Sequence, residues 1–69
     1  MDYYIIAIIK GKKYQLHDVG SPRDECDMLR KISVQGYVCK NFRDVMDEME
    51  DLTEIKYMHG KKILFKYNY

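Results

Sequence analysis

An uninterrupted run of β-branched and aromatic residues, Tyr3–Ile9, opens the chain. Lys10 and Gly11 interrupt this run, and apolar and polar residues alternate in the segment that follows, residues 12–16. A glycine between two such segments provides the positive φ angle that a tight turn needs. The pattern therefore predicts a β-hairpin.

Two registers of this hairpin are compatible with the sequence, because its first strand is apolar at every position. A two-residue turn at Lys10 and Gly11 places one set of side chains on a common face: Ile5, Ala7, Ile9, Tyr14 and Leu16. A three-residue loop with a bulge at Gly11 places a different set there: Tyr4, Ile6, Ile8, Tyr14 and Leu16. The pattern leaves this choice open.

The central part of the chain predicts two helices and a short strand. Ser21 and Pro22, followed by acidic residues, are typical of a helix start, and this helix is expected to end near Ser33. Residues 37–40 are short, apolar and β-branched, which favours a strand, and Asn41 is expected to cap the second helix. The expected buried residues are Cys26, Leu29 and Ile32, flanked by Met28, in the first helix, and Phe42, Val45, Met46, Met49 and Leu52 in the second.

A second hairpin ends the chain. Residues 53–57 and 63–67 are its predicted strands, and Gly60 takes the left-handed position of the turn between them. This turn predicts two cross-strand pairs, Ile55 with Ile63 and Thr53 with Phe65.

The element order is thus ββαβαββ, and it predicts a small α+β fold in a single domain over residues 1–69. Two hairpins and the short strand form a mixed or antiparallel sheet, which packs against two helices on one face. A chain of 69 residues has room for one core and no second lobe.

Net charge and cysteine content exclude several classes of protein. Twelve Lys and Arg residues against eleven Asp and Glu residues give a net charge of +1, which is too small for wholesale attraction to nucleic acid or acidic membranes. No apolar run has the length of a membrane span, so no membrane partner is expected. Cys26 and Cys39 are too few for a disulfide framework, which favours reduced thiols and a cytoplasmic location. Residues with AT-rich codons number 32 of 69, which favours an AT-rich genome: that of a low-GC bacterium or of one of its phages or mobile elements.

Motifs for catalysis and for cofactor or metal binding are missing from the sequence. The four glycines stand apart, so no phosphate-binding loop is formed, and the potential zinc ligands lack chelating spacing: His17, His59, Cys26 and Cys39. His17 and Asp18 are adjacent, and adjacent side chains of an extended segment point to opposite sides. We therefore predict a non-enzymatic protein without catalytic residues, metal or cofactor.

Acidic residues follow one another between residues 44 and 54 without an intervening base. The spacing of a calcium-binding loop is missing, which leaves either the solvated back of an amphipathic helix or a recognition face. The leading hypothesis is that this face docks the chain, as a regulator or inhibitor, onto a protein with a basic surface. The expected contact residues are Asp44, Asp47, Glu48, Glu50 and Asp51.

Lysines at the two predicted turns provide the alternative hypothesis. If the hairpins are neighbours in the sheet, these lysines could lie side by side, and the seven tyrosines offer surfaces on which bases stack. The alternative is a single-stranded DNA or RNA binder that uses Lys10, Lys12, Lys13, Lys61 and Lys62.

The first strand also predicts self-association. One layer of helices covers one face of a sheet, so a strand that is apolar on both sides needs a second cover. Either the two helices divide between both faces of the sheet, so that the strand is sandwiched within one copy, or a second copy of the chain supplies the cover. The leading hypothesis is the second, a homodimer. The expected interface consists of Tyr3, Ile5, Ala7 and Ile9.

Overall fold

A computed structural model describes residues 2–69 and confirms the predicted α+β class. The strands β1 (Tyr3–Ile9), β2 (Lys12–His17), β3 (Leu52–His59) and β4 (Lys62–Asn68) form one antiparallel sheet in the order β2-β1-β3-β4. The two hairpins are joined side by side through β1 and β3. The most apolar strand, β1, therefore has a hydrogen-bonded neighbour on each side.

The first hairpin adopts the two-residue turn. Lys10 and Gly11 both have positive φ angles, 52° and 79°, which are the angles of a type I′ turn. Ile5 pairs with Leu16, and Ala7 pairs with Tyr14. This geometry decides the register that the apolar pattern of β1 leaves open.

The second hairpin differs from its predicted register. Gly60 is left-handed as expected, but Ile55 pairs with Tyr67, and Ile63 pairs with Met58. The turn takes Gly60 and Lys61 as its two residues, and the register shifts between Tyr57 and Met58. A bulge, rather than a longer loop, absorbs the additional residue of β4.

The first helix, α1 (Glu25–Gln35), begins later than predicted. Asp24 is its N-cap, and the Asp24 carboxylate accepts a hydrogen bond of 2.9 Å from the backbone N–H of Asp27. Met28 and Ile32 are fully buried, whereas Cys26 is exposed, so the expectation of a buried Cys26 is wrong. Residues four apart share a helix face, but Cys26 lies about 200° around the helix from Met28.

Residues 36–51 contain neither the predicted short strand nor a long second helix. A 3₁₀ turn (Gly36–Val38) is followed by one turn of helix, α2 (Lys40–Arg43), and by a kinked 3₁₀ segment, Met46–Asp51. Leu52 already belongs to β3, because it pairs with Ile9. The connection has to reach the end of the sheet at which Ile9 and Leu52 pair. A 3₁₀ segment spans more length per residue than an α-helix does.

The helical segments all cover one face of the sheet. The core between the two layers contains Ile5, Ala7, Ile9, Leu16, Ile55 and Tyr57 from the strands, and Val19, Met28, Ile32, Phe42, Val45 and Met46 from the remaining chain.

The opposite face of the sheet is covered by the chain's own polar side chains. Ile6 is only 6% exposed on this open face, although no helix packs there. Its cross-strand partners are Gln15 and Lys56. Glu54 holds the Lys56 ammonium at 3.4 Å and the Lys66 ammonium at 3.4 Å, which keeps the long side chain of Lys56 on this face beside Ile6.

We expect the Gly11→Ala variant to lower the free energy of unfolding by about 1–2 kcal/mol, because an L side chain is strained in the left-handed conformation. Urea denaturation measures the change. Lys12→Ala is the control, because Lys12 is exposed and is the next residue along the chain. Equal stability of the Gly11→Ala variant and the wild type would contradict the assigned turn.

The polar cover of the open face predicts that alanine substitutions at two isoleucines differ in their effect on stability. Ile6→Ala should destabilise the protein by about 2–4 kcal/mol, as for other buried isoleucines. Ile63→Ala, at a side chain that is 48% exposed on the edge strand, should cost less than about 1 kcal/mol. Urea denaturation of both variants checks this, and a loss at Ile6 no larger than that at Ile63 would show that the polar cover is ineffective.

Candidate functional site

The acidic segment, residues 44–51, is a short and irregular stretch of chain. Three apolar side chains anchor it, because Phe42, Val45 and Met46 are buried in the core. The predicted helix face does not form, since α2 ends at Arg43 and the 3₁₀ segment is kinked at Glu48. The five predicted carboxylates nevertheless remain together, and four of them are exposed: Asp44, Asp47, Glu50 and Asp51.

One lysine of the first hairpin reaches the acidic segment. The Lys10 ammonium lies 3.5 Å from the Glu48 carboxylate and 3.8 Å from the Asp51 carboxylate. The Lys10 backbone N–H also donates to the Asp51 carbonyl oxygen. These contacts fix the segment beside the turn of the first hairpin and leave Asp44, Asp47 and Glu50 without an ion pair within residues 2–69.

Most other carboxylates of the chain are engaged in holding the fold together. Asp24 caps α1, Asp27 binds two arginines, and Glu54 binds two lysines. Asp2 contacts His17 at 2.5 Å, and Glu25 accepts a hydrogen bond from the Tyr69 hydroxyl. The unpaired carboxylates of the acidic segment thus have no comparable structural task.

The structure places the predicted dimer residues mainly inside the monomer. Ile5, Ala7 and Ile9 are fully buried against the chain's own helices. Tyr3 is 42% exposed, and its ring stacks on His59 with a centroid distance of 4.1 Å. Ile5, Ala7 and Ile9 are therefore not available to a second copy, whereas Tyr4 and Ile8 on the open face of β1 are only half-buried.

The lysines of the two turns are not brought together. Ile9 pairs with Leu52 and Tyr3 pairs with His59, so the two turns lie at opposite ends of the sheet. A strand of this length separates them by about 20 Å. One end carries Lys10, Lys12 and Lys13, and the other end carries Lys61 and Lys62.

Among residues 2–69, the histidines and cysteines are not gathered into a metal-binding group. The His17 ring contacts the Asp2 carboxylate through Nδ1 and the Gln15 side-chain oxygen through Nε2, and it does not engage Asp18. Cys26 is exposed, and Cys39 is half-buried. Across residues 2–69, no three His, Cys, Asp or Glu side chains are close enough together to hold a metal ion.

A second charged cluster was missed from the sequence. Arg23, Asp27, Arg30 and Lys31 line one side of α1 and, with Ser21, Val34 and Gln35, enclose a half-open cavity of about 400 Å³. We call this cavity the basic groove. Spacings of three and four residues place Asp27, Arg30 and Lys31 on one face of α1, and Arg23 lies just before the N-cap Asp24. The sequence shows this spacing, but it does not show that the loop before α1 closes the groove.

Asp27 organises the arginines of the basic groove. Its carboxylate accepts a hydrogen bond of 3.1 Å from the Arg23 backbone N–H and lies 3.3 Å from the Arg23 Nε and 3.3 Å from an Arg30 guanidinium nitrogen. The hydrogen bond from the Arg23 backbone, followed by that from its side chain, lowers the pKa of Asp27 below its ordinary value.

The lowered pKa of Asp27 predicts an acid-dependent loss of stability. A carboxyl whose pKa is lower in the folded state stabilises the fold above its unfolded pKa, and this contribution is lost as the pH falls through the folded value. The stability difference between the wild type and Asp27→Asn should therefore shrink below about pH 4. Urea denaturation of both proteins at neutral and acidic pH measures it. A difference that does not change with pH would contradict a role for ionised Asp27.

Comparison with protein-family models, with curated proteins and with solved structures finds no significant match to this chain. None of the helices within residues 2–69 combines the length and the apolar character required to cross a bilayer. Ideas about function therefore depend on the side chains of this protein alone.

Proposed function

We propose that the protein is a small interaction module that docks, as a regulator or inhibitor, onto a basic surface of a partner protein through its acidic segment. The observation that carries the proposal is a difference between the carboxylates of the acidic segment and those elsewhere in the protein. Asp44, Asp47 and Glu50 are exposed and unpaired within residues 2–69, whereas most carboxylates elsewhere have structural partners.

The anchoring of the acidic segment supports this proposal. Buried Phe42, Val45 and Met46 fix the backbone beneath the carboxylates, so little conformational entropy is lost when a partner binds. Exposed charges of one sign also accelerate association with an oppositely charged surface. Lys10 neutralises part of the segment but leaves its net charge negative.

The proposed docking unit is a single chain in the cytoplasm. Free Cys26 and Cys39 suit a reducing compartment, and β1 has its cover within one copy. The nucleic-acid alternative receives less support, because its lysines lie at opposite ends of the sheet. We retain it as an outcome of the test.

The test is an NMR titration of the ¹⁵N-labelled protein with a decameric arginine peptide, followed through backbone amide shifts. Saturable shifts confined to residues 40–52 are expected. The double variant Asp47→Asn with Glu50→Gln should weaken binding by about fivefold or more, since two charged contacts are lost. Binding should also weaken with added salt.

A matched control separates the acidic segment from net charge. Ser33→Lys with Asn68→Lys changes the net charge by the same amount at exposed positions on other elements. This control should weaken peptide binding less than the double variant does. The proposal would be contradicted if the double variant and the control weakened peptide binding equally, or if the shifts spread over the whole protein. Tighter binding to a thymidine decanucleotide than to the peptide would favour the alternative.

A further inference from the structure

The strand β4 forms one edge of the sheet, and no strand within residues 2–69 pairs with its outer side. Backbone groups of an antiparallel strand point alternately toward and away from its neighbour. The Tyr69 N–H donates to the Thr53 carbonyl oxygen at 2.8 Å, so by alternation the backbone groups of Lys66 point away from β3. Those of Ile63 also point away, because the pair beside a two-residue turn is hydrogen-bonded and Lys62 belongs to that pair. Such an edge can accept another extended chain.

The two edges of the sheet differ in the side chains that they expose. On β4, Phe65 is 41% exposed and Ile63 is 48% exposed. Phe65 lies beside Tyr57 on the face that the helices cover, and Ile63 pairs with Met58 on the open face. On the opposite edge strand, β2, the open-face side chains are exposed and polar: Lys13, Gln15 and His17. Only β4 therefore offers apolar surface on both faces of a free edge.

Two copies of β4 are complementary in one antiparallel register. With a twofold axis between residues 64 and 65, Ile63 of each copy lies opposite Lys66 of the second copy. Both residues direct backbone groups outward, and both belong to the open face, since their partners in β3 are Met58 and Lys56. A slip of one residue in either direction would place open-face residues opposite residues of the other face. This register alone satisfies both the backbone and the faces.

The same register keeps the positive charges of β4 apart. Like charges directly opposite each other in a sheet are destabilising. Here Lys66 faces Ile63, and Lys62 faces Tyr67, so that no lysine of one copy lies opposite a lysine of the other. Glu54 also holds the Lys66 ammonium at 3.4 Å within each copy. The lysines of this edge are thus compatible with a second copy of the chain.

We infer that the protein forms a homodimer in which the β4 strands of two copies pair antiparallel and join their sheets into one. This interface differs from the one that the sequence predicts on β1, because Ile5, Ala7 and Ile9 are buried inside each copy. The acidic segment lies beside Lys10 and not on β4, so each copy keeps its own acidic surface. The inference does not depend on the proposed function.

Sedimentation equilibrium over protein concentrations from about 10 µM to 1 mM tests the inference. A contact of one strand per copy is a small interface, so we expect a weak dimer with a dissociation constant on the order of 100 µM. Phe65→Lys should raise this constant by about tenfold or more, because it places a charge in the interface. Val38→Lys is the matched control, since Val38 is 84% exposed on another element, and it should leave the constant unchanged.

A second pair of variants tests the backbone contact itself. Lys66→Pro removes an N–H that does not bond to β3, and proline is tolerated at such positions of an edge strand. This variant should stay monomeric over the same concentrations, whereas Lys66→Ala keeps the N–H and should still form the dimer. The dispersion of amide signals verifies that each variant is folded.

Hydrogen exchange of the wild type locates the interface. The amide protons of Ile63 and Lys66 should exchange more slowly as the protein concentration rises, whereas that of Tyr69 is already bonded within one copy. The inference is overturned by a monomer at the highest concentration, by exchange at these two amides that does not depend on concentration, by equal association of both Lys66 variants, or by an equal loss in Val38→Lys.

The two proposals of this work can fail separately. The double variant of the acidic segment, Asp47→Asn with Glu50→Gln, should form the dimer as the wild type does. Lys66→Pro should still bind the arginine peptide with the affinity of a single copy. Loss of the dimer in the first variant would contradict the placement of the interface on β4.

Discussion

The need to cover both sides of β1 is the constraint on which the rest of the structure depends. The strand is apolar at every position and pairs with β2 and β3 at the middle of the sheet. A chain of 69 residues supplies helices for one face only. On the other face, Ile6 is buried between its cross-strand neighbours Gln15 and Lys56, and Glu54 holds Lys56 in an ion pair. Burial of apolar surface is thus achieved without a third layer.

This solution engages many of the charged residues. Glu54, Lys56 and Lys66 are occupied in the cover of the open face, and Asp24 and Asp27 organise the start of α1. Within residues 2–69, the charged side chains without an ion pair include three carboxylates of the acidic segment, Lys31 of the basic groove and the exposed lysines of the two hairpins. Opposite charges on separate parts of one surface allow a protein that is nearly neutral overall to select ligands by local charge.

Local patterns predicted the clustering of the acidic residues better than they predicted the central fold. The five carboxylates of the acidic segment are close in sequence, so they remain neighbours whether the chain forms a helix or a 3₁₀ segment. The predicted helix face failed because pairing of Leu52 with Ile9 draws the chain onto the sheet before a long helix can form. The basic groove was not predicted, because part of its lining, Ser21, belongs to the loop before α1. The position of that loop depends on tertiary packing.

The sequence by itself determined the α+β class, both hairpins and the two-sided apolar character of β1, because turn chemistry and alternation act between neighbouring residues. Only the tertiary structure decided the registers, the opposite placement of the two lysine turns and the cover over Ile6. These features depend on contacts between residues that are distant in sequence, and several arrangements satisfy the local preferences equally well. In the arrangement that forms, one copy of the chain buries Ile5, Ile6, Ala7 and Ile9 of its own apolar strand.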